Sequence, residues 1–294
     1  MDWLDNIISL YLQISECYTS TLQYFCQKTS NNSKPAFTDE EIMTIYISGI
    51  MDGFTTIKHI HQHAVKYWHH LFPKLPSYAA FNRRINQLGS AFSALTELYQ
   101  CKLSATVYAP HHFRLMDSMP IVMARQGRRF TAKVAPEIAD AGGYCAAKNM
   151  HYYGVKLHIL ASYTKGSLPI PEYVGLTHAG MNDGKAYESI RYDDQVSQYE
   201  KFADKAYIAN TDTKMYTPIK KEKGQECLEA ADQLYSTAIS KIRQPIESLN
   251  NWLQEKTNIQ IASKVRATSG LMVHVFGRMA AAFRMLYEKF NLTD

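Results

Sequence analysis

Three acidic residues stand where an unpaired charge is costly. Asp117 lies inside the apolar run Phe113-Arg114-Leu115-Met116-Asp117-Ser118-Met119-Pro120-Ile121-Val122, and Asp204 inside Phe202-Ala203-Asp204-Lys205-Ala206-Tyr207-Ile208. A carboxylate in such surroundings must be paired or bound to a cation. Glu247 follows Ile246, a member of a helical apolar stripe, and so lies about 100° round the helix from it. That is the edge of the buried face, within reach of a neighbouring sheet. Arg243 lies four residues earlier on the same side. Taken singly, either Asp also reads as a turn former or salt-bridge partner, and Glu247 with Arg243 as an intrahelical ion pair. Together they are two strand-embedded carboxylates and one helical carboxylate, all after one domain break.

The elements that would carry them follow from periodicity. Residues 1–110 read as helical. Ile7, Leu10, Tyr11, Ile14, Tyr18, Leu22 and Phe25 recur at helical spacing. Thr38-Asp39-Glu40-Glu41 has the form of a capping box, with Glu three residues after Thr. A third helix is expected from Thr55 to Phe72, and Ser77 can cap a long one through Leu103. Short helices with tight turns resemble a helix-turn-helix, with Tyr78, Asn82, Arg83, Arg84 and Gln87 on the helix that could enter a DNA groove; with no net charge, the domain reads equally as a scaffold or dimerisation contact. The texture changes after Pro110. Strands are expected over His112–Met123, Tyr152–Ser162, Pro171–Thr177, Phe202–Ile208 and Tyr216–Lys220. A helix is expected from Lys185 to Arg191, and helical period returns from Ser236 and again over Leu271–Phe290. The division is therefore 1–110, all helical, and 111–294, a mixed sheet covered by helices.

Bulk properties exclude several classes. The chain has 294 residues, 46% hydrophobic and 20% charged, values of a soluble globular protein. The stretch Leu271–Leu286 is broken by His274, Arg278 and Arg284, so no membrane span is expected. No basic region precedes an apolar one at the N-terminus, which argues against a secretory signal. Five scattered cysteines form no C-x-x-C pair, so neither a disulfide framework nor a zinc site is indicated, and a reducing cytoplasm is the simplest setting. Residues 111–170 hold 8 Lys+Arg against 3 Asp+Glu, residues 171–234 hold 8 against 12, and residues 235–294 hold 8 against 4. Two basic segments thus flank an acidic one, a distribution that suits a polyanion as well as an ordinary solvated surface.

The motifs resemble those of bacterial insertion-sequence transposases of the DDE type. Leu115-Met116-Asp117-Ser118-Met119-Pro120-Ile121 resembles their first-Asp strand. Gly143-Tyr144-Cys145-Ala146-Ala147-Lys148, followed by Tyr152-Tyr153-Gly154-Val155-Lys156-Leu157-His158, is similar to the stretch that follows it. Asp204-Lys205-Ala206-Tyr207 matches their second-Asp motif, and Arg243-x-x-x-Glu247 their Arg-and-Glu helix. The resemblance covers roughly residues 38–290 in order and spacing. It implies an α/β fold with a ribonuclease-H-like mixed sheet, in which Asp117, Asp204 and Glu247 form a catalytic triad and Arg243 contacts DNA or orients Glu247. The chain departs from some relatives in having Gln254, not Lys, seven residues after the Glu, and Pro245 two residues before it, where it must either start a helix near Gln244 or kink one.

The implied chemistry is in-line phosphoryl transfer at two divalent ions, Mg2+ or Mn2+, held by the three carboxylates. Water attacks first to free a transposon 3′ end, whose hydroxyl then attacks target DNA. Lys148, Lys156 and Lys205 are further phosphate-contact candidates, with Arg83 and Arg84 in the helical domain. The expected partner is double-stranded DNA, both transposon ends and target, and two paired ends imply a homo-oligomer. A catalytically inert DNA-binding derivative and a metal-dependent nuclease that cuts without joining are the competing readings.

Overall fold

The computed structural model describes residues 3–26, 35–106, 113–192, 198–208 and 213–290. The sequence Asn31-Asn32-Ser33-Lys34-Pro35 reads as a loop, and all of it but Pro35 lies outside these residues, as does the break at Pro110. The chain divides into two compact units, Met1–Thr106 with Leu253–Asp294, and Val107–Trp252. The second boundary was not expected from the sequence, which assigned everything after 110 to one domain. The C-terminal segment instead completes the helical unit, because its buried face has helices there to pack on.

The helical unit contains α1 (Trp3–Ser20), α2 (Asp39–Met51), α3 (Ile57–Tyr67), α4 (Tyr78–Ile85) and α5 (Gly89–Thr106). Thr38 forms the expected capping box on α2: its hydroxyl accepts from the Glu41 amide, and Glu41 accepts from the Thr38 amide at 2.6 Å. The long helix expected from Ser77 is two helices. After Ile85 the chain tightens into i→i+3 bonds, Gln87 to Arg84 and Leu88 to Ile85. Gly89 then opens α5 against the C-terminal helix, where a Cβ would come within 2.9 Å of the Ser269 carbonyl. That helix runs from Thr268 to Lys289 and is buried along most of its length, including Val275, Met279, Phe283 and Leu286. It packs on α5 and α2.

The second unit is built on a mixed six-stranded sheet. Its strands are β1 (Phe113–Arg125), β2 (Asp140–Cys145), β3 (Met150–Ser162), β4 (Ile170–His178), β5 (Glu200–Ala203) and β6 (Met215–Tyr216). The long β1 and β3 pair antiparallel through the middle, with β2 and β4 both pairing β3. On the other side of β1, β5 and then β6 run parallel. Gly154 lets β3 lie close to β1, since a Cβ there would meet the Ile121 carbonyl at 2.0 Å. The strand β2 was not anticipated, because Gly142 and Gly143 erase its alternation. Met116, Leu160, Ala203, Tyr187 and Tyr207 form a core cluster on the sheet, with Tyr187 supplied by α6 (Asp183–Ile190).

The long helix that carries Glu247, here α7 (Ala230–Thr257), contains Pro245 in its interior rather than at its start. The division between the two units falls within this helix, at Trp252. Its buried stripe is Ile239, Ile246, Leu249 and Leu253. The C-terminal helix from Thr268 is α8. Among the described residues no helix is long and apolar enough to cross a membrane.

Candidate functional site

The two aspartates meet through strand register. The parallel ladder of β1 and β5 ends on the pair Met116 and Ala203, so the next residue along the chain in each case is Asp117 and Asp204. Neighbouring strands lie about 4.8 Å apart. Asp204 was expected inside a strand. It stands just past the C-terminal end of β5 and caps the 3-10 turn Lys205–Tyr207, accepting a hydrogen bond from the Lys205 amide at 2.7 Å. The Lys205 amide is thus satisfied by a side chain rather than by a strand partner. The carboxylate is thereby left half-buried at the rim of the sheet, where ligand crevices of open α/β sheets form.

Within the same unit, α7 brings up Arg243, Glu247 and Asn250. The Arg243 guanidinium donates to Glu247 at 2.8 Å and stands 3.7 Å from Asp117. The Asn250 amide donates to Asp117 Oδ2 at 3.0 Å. Arg243 itself is only 12% exposed, whereas Glu247 is 53% exposed. Glu247 therefore faces the open side, and the cation sits between it and Asp117. Asn250 had no signal in the sequence beyond its spacing, three residues after Glu247. An open polar groove along α7, lined by Ser236, Ser240, Lys241, Arg243 and Glu247 among others, runs past this point.

Burial pushes the Asp117 carboxyl up to about 6, and the negative charges of Asp204 and Glu247 add to the shift. Arg243 and the Ser118 amide oppose it. All three acidic groups therefore share one electrostatic field. The folded state prefers neutral Asp117, so this contribution is fully present below the ordinary carboxylate range and is lost as pH rises through about 6. Asp117→Asn is expected to raise the melting temperature, in metal-free buffer, by a few degrees more at pH 8 than at pH 4.5. Circular dichroism melts of both proteins at the two pH values check this. The same change at both would remove burial as the dominant influence.

A second polar layer holds the two aspartates in place. Tyr207, three residues after Asp204, is fully buried, and its phenol bonds His158 Nδ1 at 2.7 Å and the Ser118 hydroxyl. His158 Nε2 bonds the Thr177 hydroxyl at 2.8 Å. Burial holds this imidazole down to about 4, so it stays neutral near pH 7. The Ser118 hydroxyl donates to Asp183 at 3.3 Å, and the same oxygen takes Lys156 at 3.0 Å. Ser118 is the neighbour of Asp117, and Tyr207 closes the turn that Asp204 opens. The network thus ties both carboxylate-bearing segments to β3 and α6. In the sequence Val155, Leu157 and Ile159 alternate onto one face of this strand and Lys156 and His158 onto the other, and nothing local indicates that the second face is covered.

The other expected contact residues divide in two. Lys156 is internal, donating to the Met181 carbonyl at 2.8 Å as well as to Asp183. Arg84 is also internal: it forks onto Asp39 at 2.7 and 2.6 Å and onto the Cys26 carbonyl at 2.7 Å. Each of these cations is already engaged by an acid, half-buried Asp183 for Lys156 and buried Asp39 for Arg84, which competes with any phosphate contact. Arg83, Lys148 and Lys205 are exposed.

By type alone, the donors here would suit a hard divalent cation. Carboxylate and amide oxygens are what Mg2+ and Mn2+ take. Beyond the three carboxylates, Asn250 Oδ1 is buried and has no hydrogen-bond partner. Among the described residues no three His, Cys, Asp or Glu side chains are gathered into one ion-holding group. Arg243 balances Asp117 and Glu247 instead. Compared with family models, with curated proteins and with solved structures, the chain matches none.

Proposed function

We propose that this chain is a DNA transposase of the DDE type, with a ribonuclease-H-like catalytic unit and Asp117, Asp204 and Glu247 as its metal-binding carboxylates. The observation that carries the reading is the register of β1 and β5. Residues 87 positions apart in the sequence become neighbours at one sheet rim, and Glu247 acts on the same field from α7. A carboxylate pushed up to about 6 by burial is a poor structural choice but a good ligand, because a cation would favour its charged form. Bound divalent ions would activate the attacking oxygen and stabilise the leaving one.

The chain's own groups have separable tasks in this reading. Asn250 and the Ser118 amide orient Asp117. Tyr207 and His158 hold the turn that presents Asp204. Arg243 balances the acidic charge and lies where a scissile phosphate would need a counter-charge. Lys205, exposed beside Asp204, contacts the backbone of the bound strand. Asp117 must be ionised to bind a cation, so metal affinity is expected to rise as pH passes about 6.

The test is a strand-transfer assay with the purified chain, Mg2+ and DNA carrying the terminal sequences that flank its gene. The expected products are freed 3′ ends joined to a target duplex, all lost on adding EDTA. Cutting without joining would instead make the chain a nuclease. Binding with neither reaction would make it an inert DNA-binding derivative.

A further inference from the structure

The sheet has a second chemically distinctive region, far from the carboxylates. Arg125, at the end of β1, pairs with Tyr152 near the start of β3, while Asp117 pairs with Ile159. Eight residues of extended chain separate Arg125 from Asp117, roughly 26 Å at strand rise. Beyond Arg125 the chain makes a 3-10 turn, Gln126–Phe130, with Gln126 held at φ 49°. Arg125, Arg128 and Lys133 are exposed, and Phe130 is 72% exposed. The Arg129 guanidinium lies 4.4 Å from the Phe130 ring centroid. None of these four cations forms an ion pair with an acid among the described residues. Half of the cations that make residues 111–170 basic are therefore gathered here.

The β2–β3 turn reaches the same end of the sheet, since Cys145 pairs with Met150 and Tyr144 with His151. It adds exposed Lys148 and the ring of Tyr144, which is 49% exposed and lies 4.7 Å from His151 between centroids. The Tyr144 phenol bonds Asn149 at 3.0 Å, which fixes the ring outward. The segment after Phe130 is anchored: the Tyr153 phenol donates to the Val134 carbonyl at 2.9 Å, and Ala135 and Ala139 are buried. A held base with Arg125, Arg128, Arg129 and Lys133 outside any ion pair among the described residues, and with outward aromatic rings, is the composition of a surface that grips phosphates and stacks bases. An acidic protein surface would use the cations but leave the two rings without a role.

We propose that this end of the sheet binds a single-stranded stretch of DNA, with Arg128 and Arg129 on the phosphates and bases stacked on Phe130 and Tyr144. The choice of DNA rests on the function proposed above, but the carboxylate centre plays no part in it. The test is fluorescence anisotropy of the full chain in EDTA, where no cutting occurs. One probe is a duplex with a single-stranded tail, and the other is the same duplex closed at both ends by hairpins. Arg128→Ala with Arg129→Ala is expected to weaken binding of the tailed probe about tenfold and to flatten the log-affinity against log-salt slope by roughly 1 to 1.5. Phe130→Ala is expected to weaken the tailed probe at least about fivefold and to leave the closed one unchanged. Arg128 and Phe130 are exposed and Arg129 is half-buried without an ion pair among the described residues, so circular dichroism melts should stay close to wild type. Wild-type affinity for the tailed probe in either variant overturns the proposal and leaves the transposase reading standing. A wild-type chain that binds neither probe overturns both.

Discussion

Asp204→Asn is expected to lower magnesium-dependent DNA cleavage by about a thousandfold and to leave DNA affinity within about twofold of wild type. The size follows from what the group supplies. Charge stabilisation by a bound metal is worth several kcal/mol in a transition state, and each 1.4 kcal/mol is a factor of ten in rate. The selectivity follows from the local structure. Asp204 caps its turn through one carboxylate oxygen, which accepts from the Lys205 amide. An Asn side chain keeps an acceptor oxygen at that position, so the turn and the buried Tyr207 beneath it should stay in place. What disappears is the negative charge at the end of β5. The variant should also relieve Asp117, whose upward shift owes part of its size to Asp204. Gel assays of cleavage beside anisotropy of binding provide the check. Full cleavage by the variant would end the assignment of this site.

Arg278→Ala is expected to destabilise the helical unit by about 3 kcal/mol, with its melting temperature falling by about 10 °C. Arg278 is 3% exposed and sits on α8. Its guanidinium donates to the Thr55 carbonyl at 2.7 Å, to the Thr257 carbonyl, and to His274 Nδ1 at 3.3 Å. His274 in turn bonds the Ile259 carbonyl at 2.8 Å. Burial lowers the pKa of Arg278 and holds His274 down to about 3. The imidazole is therefore neutral and serves as an acceptor for the arginine. Removing the guanidinium leaves the buried Thr257 carbonyl and the His274 ring nitrogen without a donor, each at a cost of the order of 1–3 kcal/mol before relaxation, while the carbonyl of exposed Thr55 can turn to water. Arg278→Lys should recover less than half of the loss, because one ammonium cannot reach acceptors spread around a planar fork. Thermal melts of the three proteins at pH 7.5 check this. A variant with Ala that melts with wild type would show that the loop carbonyls are hydrated, and the clamp would have no energetic content.

Much of the secondary structure was legible because its cause is local. The capping box at Thr38, the alternation of β3 and the apolar stripe of α7 are patterns within a few residues of one another. The three carboxylates were legible for a similar reason: each is a charge out of keeping with its immediate neighbours. The break after Ile85 was missed because a helix-compatible sequence continues through Asn86 and Gln87. The decisive contact is Gly89 against Ser269, 180 positions away.

By itself the sequence determined the α/β character of the middle of the chain, its helical beginning, and which acidic residues carried an unexplained charge. Tertiary structure alone decided which charges are spent inside the fold. Arg84 finds Asp39 across 45 positions, Lys156 finds Asp183 across 27, and Arg278 finds Thr55 across 223. It alone decided that His158 and Tyr207 stand behind the aspartates, and that α8 belongs with the N-terminal helices. The physical reason is the difference in range. Periodicity and capping act over one or two turns, whereas the cost of burying a charge depends on partners that only chain closure brings near.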